Sequence, residues 1–150
     1  MENKSLEIKV ALQIMKPANT VFEAIVNPKH MTNYFISESS GVMTEGETLT
    51  WKFSEFPIEF PICVKKIEQD KYISYQWEQD GEILLVEMTL EPVDGGTVVT
   101  ITEKSMENDE KGLAWLGGNS AGWANFIACL KAYLEHGINL RKGAFDFMAQ

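Results

Sequence analysis

The sequence predicts an α+β domain in which an antiparallel sheet of about seven strands curves around one long C-terminal helix, with two short helices after the first strand. Three observations predict it. Leu6, Ile8, Val10, Leu12 and Ile14 alternate with Glu7, Lys9, Ala11 and Gln13, the two-residue period of a half-buried strand. Similar alternation recurs from Ser37 to Ser105 between hairpin-type turns, and strands joined by hairpins run antiparallel. From Ser120 to Arg141, Trp123, Phe126, Ile127, Leu130 and Leu134, with Tyr133 beside them, recur at three- and four-residue steps and draw an apolar stripe down a helix. Each large side chain on that stripe contributes roughly 1.5–3 kcal/mol if fully buried. The stripe therefore needs a broad surface, and a twisted sheet can curl to supply one.

The elements follow in order. Pro17 stops the first strand and suits the first turn of a helix carrying Val21, Phe22 and Ile25. Asn27 caps a second short helix with Pro28 at its first position, and that helix carries Met31, Tyr34 and Phe35. Gly41 to Glu47 reads as a turn region between strands. Leu49, Trp51 and Phe53 share one face of the next strand. Pro57 and Pro61 cannot donate to a ladder, which predicts a bulge or loop near them before the strand continues from Val64 to Ile67. Ile73, Tyr75 and Trp77 define the inner face of the following strand. Asp80-Gly81 supplies the positive backbone angles of a tight hairpin. Leu84, Val86, Met88 and Leu90 come next on one face, then a turn at Asp94-Gly95-Gly96, then Val99, Ile101 and Glu103 on one face. Asn108 or Asp109 caps a helical turn with Leu113, Trp115 and Leu116. Gly117-Gly118 predicts a break or kink before Asn119 and Ser120 start the main helix. Gly137 falls late in that helix, at a cost of about 1 kcal/mol relative to alanine. The tail from Gly143 to Gln150 holds Phe145, Phe147 and Met148, which dock either on the body or on a partner.

Residues 1–150 fit one domain with a single core, and there is no internal repeat or linker. The net charge of -9 argues against nucleic acid and anionic membranes, because Lys65-Lys66 and Arg141-Lys142 are too small to make a basic patch. No run reaches the roughly 18 apolar residues of a membrane span, and Met1-Glu2-Asn3-Lys4 lacks a signal-peptide pattern, so the expected location is cytoplasmic. Cys63 and Cys129 are then expected to be reduced. His30 and His136 belong to no spaced ligand cluster, so neither a zinc site nor another cofactor is expected. His30 also lacks the nucleophile and orienting carboxylate of a catalytic histidine and reads as a surface residue.

Four features together resemble a known superfamily. They are Pro17-Ala18-Asn19-Thr20-Val21-Phe22-Glu23-Ala24-Ile25 after the first strand, Asn27-Pro28 leading to Tyr34-Phe35, Tyr75-Gln76-Trp77 followed by Val86 to Thr102 with its Gly95-Gly96-Thr97 turn, and Gly122-Trp123 opening the terminal helix that Leu130-Lys131-Ala132-Tyr133-Leu134-Glu135 closes. Over about Ser5 to Arg141 the chain resembles the START-like, or helix-grip, superfamily, and within it the activator of heat-shock protein 90 ATPase-like family. The resemblance implies a cavity between sheet and helix and three kinds of role. In order of preference, these are binding a small apolar molecule, which the apolar helix over a concave sheet also favours, acting on a chaperone ATPase, which rests on the resemblance alone, and catalysis, such as that of a cyclase or hydrolase, on an apolar substrate. A homodimer is kept as a further partner reading. Tyr34-Phe35 stands where the family often has tryptophans, so the cavity mouth is expected to differ in shape and polarity.

Trp51, Tyr75, Trp77, Met88, Glu103, Trp123, Phe126, Ile127 and Leu130 are the candidate ligand-binding residues; no catalytic residue is assigned. The aromatic ones bury large area and carry polar tips that can orient a ligand. Plain core packing is the competing explanation for each. Glu103 shares strand parity with Val99 and Ile101 and should point inward as a ligand anchor or general base. The competing setting, commoner for a lone acid near a strand end, is the solvated rim. Glu103 with Tyr75 would be the first candidates if the protein were an enzyme.

Overall fold

The computed structural model describes residues 4–148. Strand β1 (Leu6–Ile14) is followed by helices α1 (Ala18–Val26) and α2 (Pro28–Met31). Six strands follow: β2 (Glu38–Ser39), β3 (Thr48–Lys52), β4 (Glu59–Glu68), β5 (Tyr72–Gln79), β6 (Glu82–Val93) and β7 (Gly96–Met106). Helix α3 (Glu110–His136) comes next, and a short 3₁₀ turn, Asp146–Met148, lies in the tail. The seven strands form one antiparallel sheet in the order β1-β7-β6-β5-β4-β3-β2. This is the helix-grip architecture that the periodicities predict.

Register explains the core. Ile8, Val10 and Leu12 sit opposite Glu103, Ile101 and Val99, and those in turn face Val86, Met88 and Leu90. The inner face of three adjacent strands is thereby aligned, and α3 lies on it chiefly against β1 and β7. Trp123, Phe126, Ile127, Cys129 and Leu130 are buried there, with Tyr133 and Leu134 packed against them. Val21, Phe22 and Ile25 of α1 add to the same core. Asn27 caps α2 by accepting from the Lys29 N–H at 3.0 Å. Cys63 and Cys129 are free thiols.

The turns follow their sequence chemistry. Asp80 and Gly81 both have positive φ, 52° and 83°, and join β5 to β6 as a two-residue hairpin loop. Gly96 is constrained differently: a Cβ there would lie 2.2 Å from the Ile14 carbonyl oxygen. Gly96→Ala is expected to cost about 2–3 kcal/mol, measured by urea unfolding.

Two expectations are corrected. Pro57 lies in the loop between β3 and β4 as expected, but Pro61 does not bulge its strand; it sits in the ladder opposite Thr50, and the irregularity falls between Val64 and Ile67. The proline is tolerated because residues 59–62 pair with β3 only, β5 pairing beginning at Cys63. Nor does Gly117-Gly118 break the last helix. Asp109 caps it, its side chain accepting from the Gly112 N–H at 2.8 Å, and α3 runs on as 27 residues. It stops at His136 rather than near Arg141. Gly137 adopts φ 65° and its N–H bonds back to Tyr133, the left-handed terminus that glycine permits.

Two partly buried carboxylates make stability depend on acid. A hydrogen bond from the Tyr72 hydroxyl, then Lys104, hold Glu87 below the usual carboxylate range. Lys131, then the Met15 N–H at 2.9 Å, do the same for Glu135. A folded-state pKa below the unfolded value of about 4.3 means stabilisation that is present above that pH and lost as pH falls through the folded value. Thermal melts should therefore show the wild type losing its advantage over a Glu87→Gln/Glu135→Gln variant between about pH 5 and 3.

Candidate functional site

Most of the concave side of the sheet is filled. Trp51 and Tyr75 meet edge to face with centroids 5.3 Å apart. Met88, Phe126, Ile127 and Leu130 complete the layer, and all six residues are at most 3% exposed. These six join sheet to helix as packed core and do not line an opening. Inward-facing strand positions and the helix stripe join here in one buried cluster.

The gap opens toward the β5–β6 hairpin. There α3 presents Gly118 and Gly122, where a Cβ would meet nothing within 4 Å. Beside them lies a pocket of about 520 Å³. Its aromatic walls are Phe35, Phe53, Phe56, Phe60, Trp77, Trp123 and Phe145. Trp77 and Trp123 come from facing elements, β5 and α3, with ring centroids 5.8 Å apart. Of the nine residues nominated from sequence, these two line the pocket.

Glu103 lies behind them and is 0% exposed, so the solvated-rim setting is not the one the fold gives it. Its Oε2 accepts from Trp77 Nε1 at 2.6 Å, and its Oε1 accepts from Trp123 Nε1 and Asn119 Nδ2, both at 3.0 Å. Asn119 Nδ2 also donates to Gln79 Oε1 at 2.7 Å, while Gln79 Nε2 donates to Asn119 Oδ1 at 3.2 Å. A buried carboxylate without donors would be costly by several kcal/mol, so these N–H groups are what makes Glu103 tolerable. The arrangement locks both indoles at the pocket floor. Tyr75 is buried nearby, and burial, then the charge of Glu103, push its phenol well above the usual tyrosine value. It stays protonated at neutral pH. Glu103 and Tyr75 are thus behind the pocket surface and do not line it.

The outer wall comes from two irregular segments. Glu55, in the loop between β3 and β4, takes both arms of the Arg141 guanidinium, with Nη1 donating to Oε1 at 3.1 Å and Nη2 to Oε2. Both side chains are largely buried, and both line the pocket. The guanidinium also lies 5.8, 5.5 and 4.8 Å from the ring centroids of Phe35, Phe53 and Phe145. This bidentate pair fastens the tail to the β3–β4 loop. Phe145 and Met148 line the pocket in consequence, so the tail docks on the body as far as it is described. Residues 149–150 lie outside the described part.

Glu55, Arg141, Asn119, Gln79 and the two glycines are not among the nine residues nominated from sequence. Gly118 and Gly122 did carry a signal: one helical turn apart, they mark a helix face without side chains. Of the Tyr34-Phe35 pair only Phe35 lines the pocket, while Tyr34 is buried outside it and its hydroxyl donates to the Ala24 carbonyl at 2.8 Å. His30 is half-buried rather than on the surface, its Nδ1 lying 2.7 Å from the Tyr133 hydroxyl.

The family model described as "Activator of Hsp90 ATPase homolog 1-like protein" matches residues 16–135. The chain belongs to this family. The crystal structure of the protein SSP2350 from Staphylococcus saprophyticus is 32% identical with a TM-score of 0.80, covering 91% of this chain and 96% of that one. DynU16, a protein in the dynemicin biosynthetic locus, is 24% identical with a TM-score of 0.79, covering 89% of this chain and 48% of that one. The Aha1 dimer from Colwellia psychrerythraea, solved in solution, is 20% identical with a TM-score of 0.76, covering 88% of this chain and 98% of that one. At these identities the last two show a shared fold alone. No curated protein matches the chain. The family match ends at residue 135, before the Arg141–Met148 wall of the pocket begins. Among the described residues no helix is long and apolar enough to cross a membrane.

Proposed function

We propose that this protein binds a small, mainly apolar molecule in the pocket between β5, α3 and the tail. One observation carries the reading: a space of about 520 Å³ walled by seven aromatic side chains, with helix glycines leaving it open and two indoles held in place at its floor. That size and lining suit a ligand of drug-like dimensions. The presence of the same fold in a protein of a dynemicin biosynthetic locus supports a small-molecule role. Native mass spectrometry of the purified protein, followed by calorimetry with a panel of aromatic apolar compounds, tests it. Retention of a small molecule, or saturable one-to-one binding, is expected. Failure of every compound to bind would overturn the reading. The family description supports a second reading, action on a chaperone ATPase, which an ATP-turnover assay with the chaperone decides.

A further inference from the structure

Resting on that reading, we propose that the pocket takes an aromatic body with an oxygen acceptor at each end, such as a diphenol or a diketone, Gln79 reading one end and Asn125 the other. The charges in the lining do not point at a ligand. Glu55 and Arg141 satisfy each other through two hydrogen bonds. Glu78 is exposed on the face of β5 opposite Trp77 and Gln79, and Asp80 is exposed in the turn. The polar side chains left to meet a ligand are the amides of Gln79, Asn119 and Asn125, all half-buried in the pocket wall.

The buried carboxylate behind the pocket fixes which way the first two amides point. Asn119 turns its NH₂ toward Glu103, because an amide oxygen there would face a carboxylate oxygen with no proton between them. One of its protons goes to Glu103 Oε1 and the other to Gln79 Oε1. The Asn119 oxygen is left facing Gln79 and takes one proton of Gln79 Nε2 at 3.2 Å. The second proton of Gln79 Nε2 has no acceptor among the described residues. Glu103 thus sets, through Asn119, a free donor at the hairpin end of the pocket.

Asn125 supplies a matching donor at the tail end. Its Oδ1 accepts from Cys129 Sγ at 3.6 Å. Burial pushes that thiol up, against a smaller opposing pull from the Arg141 charge, so the sulfur keeps its proton and stays the donor. Among the described residues Asn125 Nδ2 has no partner, yet the buried polar atoms without one are the Tyr75 hydroxyl and Trp115 Nε1, so Asn125 Nδ2 is not sealed in. Asn119 and Asn125 lie six residues apart on α3, about 9 Å along its axis. Gly122 stands between them with open space where a Cβ would be. A flat ring system can therefore lie along the helix over Gly122 with an oxygen at each amide.

The test is calorimetric titration of the full chain with three probes that share one ring system: para,para′-biphenol, ortho,ortho′-biphenol and para-phenylphenol. The first has an oxygen at each end, the second has both oxygens together in the middle, and the third has a single terminal oxygen. The para,para′ isomer should bind about three- to tenfold tighter than either of the others, the worth of one added hydrogen bond. Asn125→Ala, which suits a helix interior, and Gln79→Met, which keeps the length of the side chain, each remove one donor. In either variant the advantage of the para,para′ isomer over para-phenylphenol should fall to within about twofold, while para-phenylphenol, free to use the remaining amide, changes by no more than about twofold. Equal binding of the three probes, or an advantage that survives both variants, overturns the two-ended recognition and leaves the small-molecule reading standing. Failure of all three to bind also overturns it, and native mass spectrometry of the same preparation then decides separately whether the small-molecule reading falls with it.

Discussion

Glu103→Ala is expected to lower the free energy of unfolding by about 3–5 kcal/mol. The variant removes the acceptor of three N–H groups at once, those of Trp77, Trp123 and Asn119. Each buried donor left unpaired costs about 1–3 kcal/mol, and water entering the new space recovers part of the sum. Glu103→Gln is the more discriminating variant. Its amide oxygen can serve the two donors at the Oε1 position, but its NH₂ then faces the Trp77 N–H. A loss of about 1–3 kcal/mol follows, together with a changed near-ultraviolet circular dichroism signal as Trp77 leaves its orientation. Unfolding of Glu103→Ala within about 0.5 kcal/mol of wild type would show that the carboxylate does not hold the pocket floor.

Gly122→Phe is expected to close the pocket. Nothing lies within 4 Å of a Cβ at this position, so the ring would enter open space rather than displace core. Binding of any pocket ligand should fall by about two orders of magnitude, since the ring takes the volume the ligand needs. Stability should not fall with it. Gly122→Ala, which adds only a methyl group, should raise stability by about 0.5–1 kcal/mol, because glycine in a helix interior is the costlier residue. Both are read by calorimetry alongside urea unfolding. Undiminished binding in the phenylalanine variant would place the ligand elsewhere.

The sheet was legible because its rules are local. Period-two alternation at Leu6–Ile14 and Leu84–Leu90, and the Asp80-Gly81 turn, each report on a few neighbouring residues, and the fold obeys them. Helix α3 was legible in its buried stripe but not in its length. Gly117 and Gly118 lower helix propensity, yet burial of Trp115 and Trp123 on either side outweighs that, and the cap at Asp109 starts the helix early. Strand parity placed Glu103 on the inner face. It could not show that two indole N–H groups, from residues 26 and 20 positions away, would converge on the carboxylate. Nor could it reveal the outer wall, whose anchoring pair spans 86 residues between segments of no regular periodicity. Sequence pattern finds what packs in layers. The pocket sits where the layering stops.

The Glu55–Arg141 clasp gives the domain two different ends. Residues matched by the family model run to 135 and suffice to complete all but the last residue of α3, whereas Arg141, Phe145 and Met148 shape the pocket from outside that boundary. Exchanging only about a dozen C-terminal residues would therefore reshape the pocket and leave the scaffold alone. A chain cut after Gly137 would retain its sheet and helix while stranding the Glu55 carboxylate without its counter-charge, a truncation that spares architecture and removes the outer wall of the pocket.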